Sequence, residues 1–135
     1  MIPMEELDGW MDADAHVALV QSAVEGNMNT IRLWGGGIFM PQVWYDECDR
    51  LGLIIYHDMM YCHDTPHAPT KTDEQTSELQ HQMRRLSHHP AIVIWDGCNE
   101  CMSDFGHWPM ADFVMTTVAR EDLSRPIWPS CPAYG

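Results

Sequence analysis

Basic residues are scarce in this chain. Its 135 residues include 7 Lys and Arg against 20 Asp and Glu, which gives a formal net charge of −13. Such an acidic surface repels phosphate groups, so neither a nucleic acid nor an anionic membrane is expected as a partner. A neutral or cationic substrate fits this charge better.

Long apolar runs are also missing. The longest run has about five residues, whereas a membrane-spanning helix needs roughly 20. Residues 1–6 lack the basic and apolar regions of a secretory signal peptide, so no such signal is predicted in this chain and its compartment stays open. A hydrophobic content of 45% excludes a chain that is disordered by composition, and the length suits one domain.

Cysteine is present in an odd number and at irregular spacing, at positions 48, 62, 98, 101 and 131. This pattern argues against a disulfide framework and predicts reduced thiols. Cys98 and Cys101 form one Cys-x-x-Cys pair, and His63, His67 and His107 are candidate companions, so a zinc or redox site is an alternative. The chain has no second pair at zinc-finger spacing, which makes that alternative weak.

Helices are predicted to alternate with short strands, from the apolar periodicity and from the capping, Gly and Pro residues. The predicted helices are 13–25, 41–51, 73–87 and 111–121, and the predicted strands are 30–34, 53–56, 91–95 and 124–129. Alternation with short turns is typical of right-handed crossovers and a parallel sheet. No linker or repeat divides the chain, so one structural unit is expected.

Polar residues follow the predicted strands, where parallel α/β proteins collect their functional groups. Asp58 follows the second strand, and Asn99 and Glu100 follow the third. A carboxyl group in this position can act as a proton donor, and a neighbouring amide can bind a substrate hydroxyl. Trp34, which precedes three glycines, offers a flat apolar surface for a sugar ring.

Five segments of the chain together resemble the catalytic domain of β-mannosidases. They are Asn27–Gly37 (NMNTIRLWGGG), Tyr45–Leu53 (YDECDRLGL), His89–Trp95 (HPAIVIW), Asn99–Glu100 and Asp122–Pro126 (DLSRP). β-Mannosidases belong to the glycoside hydrolase family that also contains β-galactosidase and β-glucuronidase. The resemblance covers nearly the whole chain in order, and the Trp-Gly-Gly-Gly segment favours the β-mannosidase branch.

The resemblance implies an α/β fold, a partial (β/α)8 TIM barrel of which this chain would hold about strands 2 to 5 with their helices. A complete barrel needs about 250 residues, so residues 1–135 are expected to be a fragment of a glycoside hydrolase catalytic domain. The missing remainder of the barrel would then be its structural partner. Exposed sheet edges predict poor solubility or dimerisation if the chain is made alone.

The resemblance also implies a chemistry, because a retaining glycosidase uses two carboxyl groups that flank the scissile bond. Glu100 corresponds to the acid/base, Asn99 to the residue that binds the sugar 2-hydroxyl, and Arg32 to the residue that orients the nucleophile. Trp34 and Asp58 correspond to positions that line the sugar pocket. The family's nucleophile lies on the seventh strand, outside this chain, so the isolated chain is expected to be inactive. No metal or other cofactor is implied, and the expected substrate is a terminal β-mannosyl residue of an oligosaccharide or glycoprotein glycan.

Two departures from the family pattern bear on sugar preference rather than on the class of reaction. Asp96–Gly97–Cys98 stands where β-mannosidases usually have Ser–Gly–Asn, and His57 stands where they usually have Gln. Other functions stay open: a non-catalytic carbohydrate-binding or partner-binding fragment, or a small metal-binding protein. The exo-β-glucosaminidase branch has a cationic sugar that would suit an acidic site, but the Trp-Gly-Gly-Gly segment and Asn99–Glu100 argue against it. Each site residue also has a structural interpretation, as a helix-start acid, a core aromatic ring, a turn cap or an ion-pair partner.

Overall fold

The computed structural model describes residues 11–63, 72–101 and 109–132 of the chain. The elements of this part, in chain order, are α1 (Ala13–Glu25), β1 (Thr30–Leu33), α2 (Gln42–Leu51), β2 (Ile54–Asp58), α3 (Asp73–Leu86), β3 (Ile92–Asp96), α4 (Pro109–Glu121) and β4 (Ile127–Trp128). The strands form one sheet in the order β1-β2-β3-β4, and each neighbouring pair is parallel. The predicted mixed α/β fold with a parallel sheet is therefore confirmed.

The helix boundaries follow from local chemistry that the sequence displays. The Asp12 side chain accepts hydrogen bonds from the backbone N–H groups of Asp14 and Ala15, which caps the start of α1. Thr72 and Gln75 form a reciprocal capping box at the start of α3. Gly52 ends α2 in the left-handed conformation, with φ of 71°, where a residue without a Cβ is favoured.

Two strands run further than predicted, and the last strand is shorter. β2 ends at Asp58 and β3 at Asp96, and these two residues are partners in the register of the sheet. The polar ends of both strands are buried by tertiary contacts. Such contacts cannot be predicted from the local pattern of apolar residues. The predicted strand 124–129 is reduced to the two residues Ile127 and Trp128.

The sheet has one face packed against the helices and one face that carries polar side chains. The packed face buries Leu33, Ile55 and Trp95, which join the aromatic rings of Trp44 and Tyr45 from α2 in the core. Strand residues alternate between the two faces, so Arg32 on β1 shares the opposite face with Tyr56 and Asp58 on β2. In the described part of the chain, no helix has the length and apolar character to cross a membrane.

Several residues in the segments that carry the family resemblance hold the sheet together. Asp49 on α2 lies 2.6 Å from Nδ1 of His89 and accepts a 2.8 Å hydrogen bond from the backbone N–H of Ala91, just before β3. Asp122 accepts a 2.8 Å hydrogen bond from the buried indole N–H of Trp95. These buried bonds fix β3, and through it the position of everything that follows the strand.

Candidate active site

Three of the five residues that the sequence singles out, Arg32, Asp58 and Asn99, meet at the carboxyl ends of β1, β2 and β3. Arg32 donates two hydrogen bonds to Asp58, from Nε to Oδ1 at 2.9 Å and from Nη2 to Oδ2 at 2.6 Å. The same Nη2 donates a 2.9 Å hydrogen bond to Oδ1 of Asn99. One guanidinium therefore joins three βα units, and this group of three residues is called the Arg32 cluster below.

The electrostatics of the Arg32 cluster favour its charged form. The Asp58 side chain is fully buried, and its Oδ2 also accepts a 2.9 Å hydrogen bond from the backbone N–H of Gly35. Burial alone would lower the pKa of Arg32, but the hydrogen bond and charge of Asp58 outweigh it and raise that pKa. A charged guanidinium in fork geometry orients both a carboxylate and an amide without moving.

A second, buried network supports the backbone of Asp58. Nδ1 of His57 lies 2.7 Å from the carbonyl oxygen of Asp58, so this nitrogen carries the proton and donates it. Nε2 of His57 then accepts the 2.8 Å hydrogen bond of the Tyr45 hydroxyl. Burial lowers the pKa of His57 to about 3, which keeps the ring neutral in this role.

Asp96 adds a carboxyl group that the sequence interpretation treated only as a departure from the family pattern. Its Oδ2 accepts a 2.7 Å hydrogen bond from the Tyr56 hydroxyl, and its buried Oδ1 has no hydrogen-bond partner among the described residues. Burial raises the pKa of Asp96 to about 7, and the nearby charge of Asp58 adds to that increase. The β2 alternation that puts Tyr56 on the face of Asp58 is the signal that could have indicated Tyr56 from sequence.

Asn99 and Glu100 leave the end of β3 in opposite environments. Asn99 is buried: its backbone N–H donates to the carbonyl oxygen of Tyr61 at 3.0 Å, and its side-chain amide donates to Sγ of Cys62 at 3.3 Å. The Glu100 side chain is 54% exposed, and its backbone N–H donates to the carbonyl oxygen of Cys131 at 2.8 Å. The structure thus fixes the backbone on both sides of the pair and leaves the Glu100 carboxylate open to solvent.

Trp34 lies directly after β1, half-buried, with its ring over Gly36. A Cβ added at Gly36 would overlap the indole ring, and one added at Gly35 would overlap the carbonyl oxygens of Met59 and Tyr61. The two glycines therefore allow close packing of this turn. Within the described part, no hydrogen bond or ring contact joins Trp34 to the Arg32 cluster.

The thiol prediction is wrong at one pair of cysteines. Cys98 and Cys101 form a disulfide that spans Asn99 and Glu100, whereas Cys48, Cys62 and Cys131 are free. The two partners are three residues apart with a Cα–Cα distance of 5.8 Å, so the local turn brings them together without a wider disulfide framework. Among the described residues, no group of three His, Cys, Asp or Glu side chains could hold a metal ion. His67 and His107, named above as candidate ligands, lie outside those residues.

The chain is similar to known proteins in sequence and in fold. No family model matches the chain. It is 40% identical to β-mannosidase of Capra hircus over 99% of this chain and 17% of the goat protein, and 44% identical to β-mannosidase B of Thermothelomyces thermophilus over 60% of this chain and 10% of that protein. The crystal structure of a β-D-mannosidase from Dictyoglomus thermophilum superimposes with a TM-score of 0.73 at 28% identity, over 93% of this chain and 17% of that one.

The two curated relatives share sequence with the chain, and the Dictyoglomus thermophilum enzyme also shares its three-dimensional arrangement. The chain spans less than a fifth of the length of each of the three. At this level of identity over nearly the whole chain, the chain is similar to a fragment of β-mannosidases, which are glycoside hydrolases.

Proposed function

We propose that this chain is part of the catalytic (β/α)8 barrel of a β-mannosidase-like retaining glycoside hydrolase, and that it carries the acid/base half of the site. The observation that carries the proposal is the Arg32 cluster. Arg32, Asp58 and Asn99 come from three successive βα units and converge at the carboxyl edge of a parallel sheet, next to Glu100. The β-mannosidases named above supply the reaction type and the substrate class.

Glu100 takes the acid/base role in this proposal. As a carboxylic acid it gives its proton to the glycosidic oxygen while a second carboxylate attacks the anomeric carbon, and the bond to the leaving sugar breaks. As a carboxylate it then takes a proton from water, whose oxygen displaces the enzyme from the anomeric carbon. The half-exposed position of Glu100 suits this exchange, since the group must meet first the leaving sugar and then a water molecule.

The buried residues take positioning roles. Asn99 is held by Arg32 through Oδ1 and by Cys62 through its amide nitrogen, so its orientation is fixed before a sugar arrives. A fixed amide can bind the sugar 2-hydroxyl, where contacts strengthen in the transition state. Arg32 has a side chain that is 33% exposed, so it can also face the attacking carboxylate while it holds Asp58. Trp34 offers an apolar surface beside the site, and Asp58, whose side chain is fully buried, acts on the site through the charge that holds Arg32.

The attacking carboxylate is proposed to lie on polypeptide outside these 135 residues, since no Glu follows Glu121 in the sequence. The purified 135-residue chain is therefore expected to show no turnover of an aryl β-mannoside. Glu100-dependent turnover by the chain alone would contradict this division of the site.

The proposal is tested in the full-length protein that carries these residues. Wild type, Glu100→Gln and Glu25→Gln are assayed for release of mannose from a β-1,4-linked mannobiose. Glu25 is exposed at the end of α1 and has the same change of charge, so it is the matched control. Loss of general acid catalysis predicts a fall in kcat of about 10²- to 10⁴-fold for Glu100→Gln and wild-type rates for Glu25→Gln. An active wild type that tolerates Glu100→Gln overturns the assignment of Glu100, and an inactive wild type that still binds mannosides favours the non-catalytic binding function.

A further inference from the structure

A histidine side chain contacts the proposed acid/base. Nδ1 of His63 lies 3.2 Å from Oε2 of Glu100. The two residues are also joined through the backbone, because the N–H of His63 donates a 2.9 Å hydrogen bond to the carbonyl oxygen of Asn99. The segment after β2 is therefore attached to the segment after β3 at the point where Glu100 leaves the sheet.

Both members of this pair have an unusual backbone. His63 has φ of 59° and Glu100 has φ of 55°, and both residues carry a Cβ. The left-handed region is unfavourable for such residues and persists where surrounding contacts hold it, often at functional sites. Here the holding contacts are the bond from His63 N–H to Asn99 and the bond from Glu100 N–H to Cys131. The strained backbone directs the two side chains to the same place.

The side chains of the Arg32 cluster form hydrogen bonds with residues other than Glu100. Arg32 donates to Asp58 and Asn99, and the Asn99 amide donates to Cys62. The imidazole of His63 lies beside the Glu100 carboxylate, 3.2 Å from Oε2. The side chains of His63 and Glu100 are 65% and 54% exposed, so without this contact the carboxylate would be free to rotate in solvent.

We propose that His63 is a positioning residue for Glu100, a role that rests on the proposed glycosidase function. With a proton on Nδ1, the imidazole can donate to Oε2, 3.2 Å away, and leaves Oε1 to exchange a proton with the glycosidic oxygen and then with water. Oε2 can accept from this N–H both when Glu100 is a carboxylic acid protonated on Oε1 and when it is a carboxylate. His63 therefore keeps its own proton throughout, and the proton that moves belongs to Glu100.

Such a role predicts a particular kinetic signature. An exposed imidazole–carboxylate contact adds little to stability, so its loss should leave folding nearly unchanged. Misplacement of a catalytic group by a fraction of an ångström is costly only in the step that uses it. The loss in kcat/KM should therefore appear with substrates whose leaving group needs protonation. It should vanish with 2,4-dinitrophenyl β-mannoside, whose leaving group departs unprotonated.

The test uses the full-length protein with three substitutions. His63→Gly removes the imidazole and tolerates φ of 59°, His63→Asn keeps an N–H donor near the position of Nδ1 and also tolerates this backbone, and His81→Asn is a control at an exposed histidine on α3. We expect His63→Gly to lower kcat/KM for mannobiose about 10-fold, and to leave kcat/KM for the dinitrophenyl substrate, which reports the departure of the leaving group, within 2-fold of wild type. His63→Asn should restore most of the loss, and His81→Asn should behave as wild type. Equal effects on both substrates, or none on either, overturn the proposal.

A structural measurement separates this inference from the proposed function. Crystal structures of the wild-type and His63→Gly proteins report on the Glu100 side chain without requiring turnover. We expect one conformer of Glu100 in the wild type and several in His63→Gly. A single, unchanged conformer in His63→Gly overturns the positioning role even if the protein is an active mannosidase, whereas an inactive wild type overturns the proposed function alone.

Discussion

Arg32 and Asp58 lie 26 residues apart in the chain and are joined by two parallel hydrogen bonds of 2.9 and 2.6 Å. Asp58 is fully buried, so its charge is compensated almost entirely by this guanidinium and by the N–H of Gly35. Arg32 also donates a hydrogen bond to Asn99, the residue beside Glu100. The ion pair with Asp58 on β2 therefore helps to position Asn99. Four predictions test how this edge of the sheet is built.

Arg32→Lys keeps the positive charge but removes the fork that binds both oxygens of Asp58. We expect a loss of about 1–2 kcal/mol in the free energy of unfolding, since a buried carboxylate loses one charge-assisted hydrogen bond and the Arg32 side chain is itself partly exposed. Urea denaturation measures the change. Arg84→Lys is the matched control, because Arg84 makes the same two-bond contact with Glu121 in an exposed position between α3 and α4, and it should unfold at nearly the wild-type midpoint. Equal losses for both variants would contradict the prediction.

Asp96→Asn should change how stability depends on pH. The pKa of Asp96 is raised from an ordinary value of 3.8 to about 7 by burial, so between these limits the folded state keeps a proton that the unfolded state has lost. Wild-type stability should therefore fall by on the order of 1 kcal/mol per pH unit across this window, in addition to all other groups. Asp96→Asn does not titrate, and its amide oxygen can still accept from Tyr56, so this component of the slope should disappear.

The measurement is the difference in unfolding free energy between wild type and Asp96→Asn at pH 5, 6, 7 and 8. The difference should shift steadily in favour of the variant as pH rises and level off above pH 7. Asp46→Asn, at an exposed acid on α2, provides the control and should show no such trend. A difference for Asp96→Asn that stays constant from pH 5 to 8 would refute the pKa assignment.

Asp122 should matter for stability although it lies outside the site. Its Oδ2 accepts from the buried indole of Trp95, and its Oδ1 accepts from the backbone N–H and the hydroxyl of Ser124. Asp122→Ala leaves the Trp95 donor unpaired and should cost about 1–3 kcal/mol. Asp122→Asn keeps an acceptor oxygen and should cost less, and both are measured by urea denaturation. A smaller loss for Asp122→Ala than for Asp122→Asn would show that the indole bond is unimportant.

Gly35→Ala should lower stability, whereas Gly36→Ala, at the next position, should mainly affect Trp34. A Cβ at Gly35 meets backbone carbonyl oxygens of Met59 and Tyr61, which cannot move without distorting the turn, so we expect a loss of about 1–3 kcal/mol in stability. A Cβ at Gly36 meets the ring of Trp34, which can rotate away. Gly36→Ala should therefore change the tryptophan fluorescence and raise KM for mannosides, with little effect on stability. Similar unfolding midpoints for the two variants would contradict this distinction.

The sequence predicted the helices better than the strand ends. Caps such as Asp12, the Thr72–Gln75 box and Gly52 act within a few residues, and the corresponding boundaries agree with the structure to within two residues. Strands β2 and β3 continue into Asp58 and Asp96, where burial depends on neighbouring strands rather than on local pattern. Short-range chemistry therefore predicts the elements, and long-range packing sets where the strands stop.

The same division holds for the candidate site. Arg32, Asp58 and Asn99 were predicted from the family resemblance, and the structure brings these three into one hydrogen-bonded cluster. The contact between His63 and Glu100 depends on two left-handed residues in separate loops, for which the sequence has no glycine as a signal. The Tyr56–Asp96 bond joins side chains 40 residues apart and could be expected only once the strand register was known.

The spacing of the Arg32 cluster has a consequence for biosynthesis. Arg32 finds its first partner 26 residues downstream and its second 67 residues downstream. A nascent polypeptide that emerges from the ribosome therefore exposes an uncompensated guanidinium until β2 has folded, and an incompletely satisfied one until Asn99 has been synthesised. Non-local pairing of this kind is slow compared with helix formation. The edge of the sheet that performs the proposed chemistry can therefore mature only after three successive βα units have been synthesised.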